Sequence, residues 1–325
     1  MFNAITDVEG IKVGHASDLE GLTGCTVILC EDGATGGIDI RGSAAGTRQT
    51  DSLHSQHLVE EVHAVLLSGG SAFGLDAAGG VMAYLEEKGK GFPTSATNVP
   101  IVPTAIIYDL SLGNYRARPN KEMGYKACKN ARAGKVKEGS IGVGTGATVG
   151  KLFGIERAMK GGFGTASKRL TNGLVVGAAV VVNAFGDVVN NENGEILAGA
   201  RDTEDGQRFV NSFEHIKKGV KGKEEFFQNT TLGVVATNAL LTKRQAIKVA
   251  QMAHTGFAKT ISPIHLSSDG DLVIALSTRK LKVDVNIVGL LAEEAIMEAV
   301  KRAIITADGF GVIPAHKDIA KSRVR

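Results

Sequence analysis

The sequence predicts an α/β protein built from stacked sheets covered by helices. Three observations carry that prediction. Five short runs are rich in β-branched residues and bounded by turn residues, at 26–30, 64–67, 173–182, 233–236 and 272–276. Three longer stretches, 75–88, 242–258 and 288–305, repeat apolar residues at helical spacing. The strands come in bunches with helices following, without the strict alternation of a doubly wound sheet. In order along the chain, Thr26-Val27-Ile28-Leu29-Cys30 and Ala64-Val65-Leu66-Leu67 are apolar enough for buried strands, and the first predicted helix follows at Leu75. The run 173–182 is long and nearly all apolar, and Gly233-Val234-Val235-Ala236 repeats that character. In the second helix Thr242 can cap, and Ala246, Val249, Ala250 and Ala253 form one apolar stripe. Leu272-Val273-Ile274-Ala275-Leu276 and the helix from Val288 complete the series.

Composition bounds what the chain can do. At 325 residues, 43% hydrophobic and 22% charged, it has ample core, and the length allows either two domains or one large α/β unit. A net charge of +3, with no basic run interleaved with aromatics, argues against nucleic acid and membrane surfaces as partners. The opening residues, Met1 to Asp7, have neither the basic nor the apolar region of a signal peptide. No run approaches the roughly 18 apolar residues that span a bilayer. Cys25, Cys30 and Cys128 show no CxxC spacing and the eight histidines do not cluster. Reduced thiols, a cytoplasmic location and no metal are therefore expected.

The unusual number is 42 glycines, set within apolar segments such as 67–80 and 139–150. Glycine there serves tight turns and close backbone approach, or small-residue packing between layers. The second segment could also be read as an anion nest for a phosphate or nucleotide. It ends Gly150-Lys151-Leu152, however, and lacks the hydroxyl that would hold Mg²⁺ in a P-loop.

Chemistry concentrates around Asn229-Thr230-Thr231-Leu232-Gly233. A charged, polar stretch, 201–228, reads as an exposed connector and leads to a hydroxyl residue at the mouth of an apolar strand. If the Asn229–Thr230 bond is broken, Thr230 carries both a nucleophilic hydroxyl and an α-amine with a pKa of about 7.7–8.0, suited to act as its general base. A plain strand start would also use threonine, which favours β structure. Downstream, Asp269-Gly270-Asp271 opens the strand 272–276, so two carboxylates could project together and orient the nucleophile, although Asp-Gly is also turn chemistry. Asn183 ends the long run 173–182, where its carboxamide could serve a developing oxyanion or a hairpin turn.

Taken together, segments 229–239, 268–278 and 180–183, with 139–150, 67–78 and the start 10–15, resemble the DmpA/β-aminopeptidase family. This family of self-processing N-terminal-nucleophile hydrolases includes L-aminopeptidase/D-amidase-esterases, β-peptidyl aminopeptidases and nylon-oligomer hydrolases. The resemblance covers roughly 1–315 and implies one domain, 1–325, folded as a four-layer α/β/β/α sandwich. It implies a precursor cut into an α part, 1–229, and a β part, 230–325, assembled as tetramers or larger homo-oligomers of αβ units. It also implies small peptide, amide or ester substrates and no cofactor. Thr230 matches the nucleophile, Asp269 and Asp271 the two aspartates of the nylon branch, and Asn183 the oxyanion asparagine. Lys151 matches a lysine of that branch, Tyr108 a substrate-site tyrosine, and Glu138 an acidic residue that binds the substrate amine. Thr at the cut, with Asn before it, is closest to the nylon-oligomer hydrolases. The competing reading is an unprocessed, silent member that serves as a binding scaffold.

Overall fold

One strand ties the architecture together. The computed structural model describes residues 1–219 and 229–322; the last part of the predicted connector, 220–228, lies outside the described residues. The principal strands are β1 (Lys12–Asp18), β2 (Thr23–Ile40), β3 (Thr47–Arg48), β4 (Glu61–Ser68), β5 (Thr104–Ile106), β6 (Gly162–Arg169), β7 (Val175–Asn183), β8 (Thr230–Ala239) and β9 (Leu272–Leu281). They join in one nine-stranded mixed sheet of order β6-β7-β8-β9-β2-β4-β5-β3, with β1 also pairing with β2. The 18-residue β2 is long enough to belong to two halves at once. Its first part pairs with β1 and β4, its last part pairs with β9, and the β2–β4 register shifts between Leu29 and Ala34.

Side-chain alternation turns this single hydrogen-bonded sheet into stacked layers. Val176, Ala178, Val180 and Val182 of β7, with Val235 of β8 and Val273 of β9, pack against helices α4 (Lys243–Thr260) and α5 (Val285–Ile305). The opposite faces, including Val181, Val234 and Ile274, meet Ile28, Val65 and Leu67 of the other half. Beyond that half, Val27, Leu29 and Leu66 pack against α1 (Ala77–Glu87) and α2 (Lys121–Asn130). The order is helix, sheet, sheet, helix, the four-layer α/β/β/α sandwich expected. Among the described residues no helix is long and apolar enough to cross a membrane.

All five predicted strands and all three predicted helices are present, within longer elements in most cases. Thr242 caps α4 by accepting the Gln245 N–H, and Ala246, Val249, Ala250 and Ala253 are its buried stripe. Helix α5 starts earlier than the apolar pattern suggests because Asp284 caps it, accepting the Asn286 N–H at 2.7 Å. The connector is less exposed than its polarity implies. Arg201 is buried and donates to the carbonyls of Glu156, Ala158 and Glu204. Ser212, the first residue of the short helix α3 (Ser212–Lys217), is buried and held by Asp187 through both its N–H and its hydroxyl. Polar residues can enter the interior here because each finds a partner.

Small residues let the layers approach. A Cβ on Gly164 of β6 would lie 2.1 Å from the Ala299 carbonyl oxygen and 2.5 Å from the Ala303 nitrogen, both backbone atoms of α5. Gly164→Ala is therefore expected to destabilise the fold by about 1–3 kcal/mol through overpacking. A lowered thermal midpoint is the readout; an unchanged midpoint would mean α5 can shift freely away from the sheet.

Candidate active site

Strand β8 opens at Thr230, and its two neighbours bring different groups to that end. Parallel pairing with β9 sets Leu232 opposite Leu272, so residues 229–231 run alongside 269–271, with a bridge between Asn229 and Asp269. Antiparallel pairing with β7 sets Asn183, the last residue of that strand, opposite Thr230. Because Leu232, Val234 and Ala236 face the layer between the sheets, Thr230 faces the same way at its rim. Thr231 faces the α4/α5 layer, as does Gly233, which lies against Phe257 and Ile296. Asn229 and Thr230 are both buried.

The peptide bond before Thr230 is held by its surroundings. The Asn229 carbonyl oxygen accepts the Thr230 hydroxyl at 2.6 Å and the Gly270 N–H at 2.9 Å. Asp271 Oδ1 accepts the Thr231 N–H at 2.6 Å, while Oδ2 accepts the His265 N–H at 3.1 Å and faces His265 Nδ1 at 2.9 Å. Asp269 Oδ2 accepts the Leu266 N–H at 2.8 Å, and its Oδ1 is buried without a hydrogen-bond partner among the described residues. On the other side, Asn183 Oδ1 accepts the Thr148 N–H at 3.0 Å and Lys151 Nζ at 3.1 Å, and Nδ2 donates to the Tyr108 carbonyl at 3.1 Å. Lys151 Nζ also donates to the Asn183 carbonyl at 2.9 Å. Tyr108 and Lys151 line a small pocket with Leu112, Ile155 and Phe185 as apolar walls.

Burial shapes the charges. It pushes the Lys151 ammonium down to about 7, against the pull of Asp269, Asp271 and Asp109. It pushes Asp269 up to about 7, and the neighbouring Asp271 carboxylate adds to that rise. Burial thus moves one cation down and one carboxyl up toward the neutral range, where acid–base chemistry operates.

Six of the residues singled out in the sequence therefore gather at one place: Thr230, Asn183, Asp269, Asp271, Lys151 and Tyr108. Glu138 does not join them. Its carboxylate pairs with Arg302 of α5 at 2.5 Å and accepts the Thr165 N–H at 2.9 Å, on edge strand β6, two strands from β8. A carboxylate already matched to a guanidinium and a backbone donor is a structural tie, which corrects the expectation that it receives a substrate amine. The glycine-rich segment 139–150 is likewise packed rather than open to an anion. Its Gly144 and Ala147 carbonyls accept Lys160 Nζ at 2.8 Å each, and a Cβ on Gly146 would meet the Asp109 carboxylate at 2.5 Å. Two contributors had no individual signal in the sequence: Gly270 read as part of a turn, and His265 stood as an isolated histidine.

With this geometry in view, comparison with known proteins is informative. The family model for peptidase family S58 matches residues 3–313. An uncharacterized aminopeptidase of Mycobacterium leprae is 40% identical, over 97% of this chain and 93% of that protein. A 6-aminohexanoate-oligomer endohydrolase of Kocuria sp. is 30% identical, over 91% of this chain and 84% of its own length. Among solved structures, the L-aminopeptidase D-Ala-esterase/amidase of Ochrobactrum anthropi, described as a variant of the Ntn-hydrolase fold, superimposes with a TM-score of 0.70. That match covers 100% of this chain and 95% of the other at 19% identity, and it speaks to the fold. The chain belongs to peptidase family S58 and is a hydrolase of amide bonds.

Proposed function

We propose that the chain is a self-processing hydrolase whose nucleophile is Thr230, freed as an N-terminus by cleavage after Asn229. The observation that carries this reading is the Asn229 carbonyl, held between the Thr230 hydroxyl and the Gly270 N–H. A donor fixed on a carbonyl before reaction can stabilise the oxyanion that forms on it. In the first stage the Thr230 oxygen bonds to the Asn229 carbonyl carbon and the hydroxyl proton is taken up locally. Lys151, whose ammonium burial pushes down to about 7 and which is hydrogen-bonded to Asn183 opposite Thr230, is the group assigned to accept it. Collapse breaks the Asn229–Thr230 C–N bond and protonates the departing nitrogen, leaving an ester. Water hydrolyses that ester, giving a carboxylate on Asn229 and free Thr230.

In the second stage the α-amine takes the hydroxyl proton and Thr230 attacks a substrate amide. The proton passes to the leaving amine, and water releases the acyl group. Asp271 fixes the start of β8 through the Thr231 N–H; Lys151 borders the pocket where the substrate carbonyl would lie, and Asn183 holds Lys151 there. Small peptides, amides or amide oligomers are the substrate class. Relatives named for both aminopeptidase and oligomer hydrolysis support that breadth, and engagement of Glu138 by Arg302 favours the oligomer-type reading over one requiring an amine anchor at that residue. A cytoplasmic setting and homo-oligomers of αβ units complete the proposal; buried, unbridged Cys25, Cys30 and Cys128 fit a reducing compartment.

Three outcomes test it. Thr230→Ala leaves one 33.9 kDa chain without hydrolytic activity, whereas Thr230→Ser and Thr231→Ala are still cut in two, as read by intact mass. A cut Thr230→Ala chain would end the proposal. Gly270→Ala slows self-cleavage by about 10²-fold, since a Cβ there would lie 2.8 Å from the Thr230 hydroxyl and misplace it. An unimpaired rate would show that the Thr230 hydroxyl keeps its reactive position beside a Cβ at residue 270.

The third outcome concerns pH. The neutral form of Lys151 and the ionised form of Asp269 both increase as pH rises through about 7, so self-cleavage should accelerate between roughly pH 6 and 8. Lys151→Arg, which stays charged, should be slow throughout. A rate that is flat across that range would exclude both groups from the limiting step.

A further inference from the structure

The turn leading into β9 contains a residue whose contacts reach the nucleophile through two steps. Asp271 uses both carboxylate oxygens on different parts of the chain. Oδ1 takes the Thr231 N–H of β8, and Oδ2 takes the N–H and faces the ring Nδ1 of His265. A carboxylate held at one oxygen can rotate about its last torsion, which is broad for aspartate. Held at both, it becomes a fixed strut between the turn and the first peptide of β8.

His265 has an unusual setting for this task. Its φ is +59°, the left-handed region where glycine or asparagine is the ordinary occupant. Histidine at such a place needs a compensating contact, and its ring supplies two. Nδ1 faces Asp271, while the ring edge meets His254 with centroids 4.8 Å apart and planes at 73°. His254 is itself anchored, with Nε2 3.0 Å from the Asp39 carbonyl, and burial holds it down to about 4, so it is a neutral ring at working pH. The remaining nitrogen of His265, Nε2, is buried without a hydrogen-bond partner among the described residues. Among them, the polar contact of the ring is the one that grips Asp271.

We propose that His265 is a positioning residue: its backbone N–H and ring Nδ1–H lock the Asp271 carboxylate, which through the Thr231 N–H sets the backbone that presents the Thr230 hydroxyl. This rests on the reading of Thr230 as nucleophile. The Thr231 N–H is retained when the preceding bond is cut, so the same strut serves self-cleavage and turnover.

Three substitutions separate this role from backbone shape and from space filling. His265→Gly relaxes the backbone but removes the ring. His265→Asn also suits positive φ and restores an N–H near Asp271. His265→Phe keeps a ring against His254 without the donor. Freshly synthesised full-length chains are followed by intact mass, with thermal midpoints measured alongside. His265→Asn is expected to cleave within a few-fold of wild type, and the Gly and Phe variants at least about tenfold more slowly. Once cut, those two variants are expected to lose kcat with KM little changed. Wild-type rates in the Gly or Phe variant, or an Asn variant as slow as Gly at an equal thermal midpoint, would overturn the inference alone. A wild-type chain that stays whole would remove the Thr230 reading and this inference with it.

Discussion

The site depends on one pairing choice, the parallel register of β8 against β9. Parallel neighbours place the same ends of two strands together, so residues 229–231 and 269–271 coincide although about forty positions separate them in sequence. An antiparallel neighbour does the reverse and delivers the far end of β7, where Asn183 stands. The carbonyl before Thr230 thus receives a backbone donor from one side, and the end of β7 brings Asn183 to the other. Helices α4 and α5 hold this arrangement in place by packing along the outer faces of the same three strands.

Charge is the second constraint. Asp269 is buried and Lys151 half-buried with its ammonium turned inward, and isolated ions in such surroundings are costly. Lys151 meets that cost with hydrogen bonds to the carbonyl and side chain of Asn183, and Asp269 with the Leu266 N–H. Burial is the largest cause for each and brings both to about 7. Lys160 shows the contrasting use of the same residue type. Burial also brings it to about 7, yet it is enclosed by the Gly144, Ala147 and Gly161 carbonyls and secures the glycine-rich segment.

Much of this was readable from the chain, and the failures have physical causes. Central strands β7, β8 and β9 are buried on both faces, so their apolar runs stand out. Helix α2, with Lys121, Glu122, Lys126 and Lys129 in ten residues, carries little apolar pattern and forms through its Asn120 cap and packing against α1. Edge strand β6, Gly-Phe-Gly-Thr-Ala-Ser-Lys-Arg, is too rich in small and polar residues to read as a strand. Thr230, Asp269 and Asp271 were legible because hydroxyl and carboxylate chemistry has few substitutes. Glu138 misled because a carboxylate beside a glycine-rich run looks available until Arg302, 164 positions away, is placed against it. Gly270 contributes a backbone N–H that every non-proline residue has, so only the fold could single it out.

The self-processing reading gives that N–H a use in both stages. In the uncut chain the Asn229 carbonyl occupies it, and the Thr230 hydroxyl shares the same oxygen. Cleavage would separate residue 229 covalently from 230 while the sheet, paired from Thr230 onward along β7 and from Leu232 onward along β9, is left intact. Were the Asn229 carboxylate then to withdraw, Gly270 would present a donor at the place where a carbonyl bound to Thr230 had already been accommodated. On that reading the product of the first reaction would be a site shaped for the second, the precursor's own peptide bond having served as its first substrate.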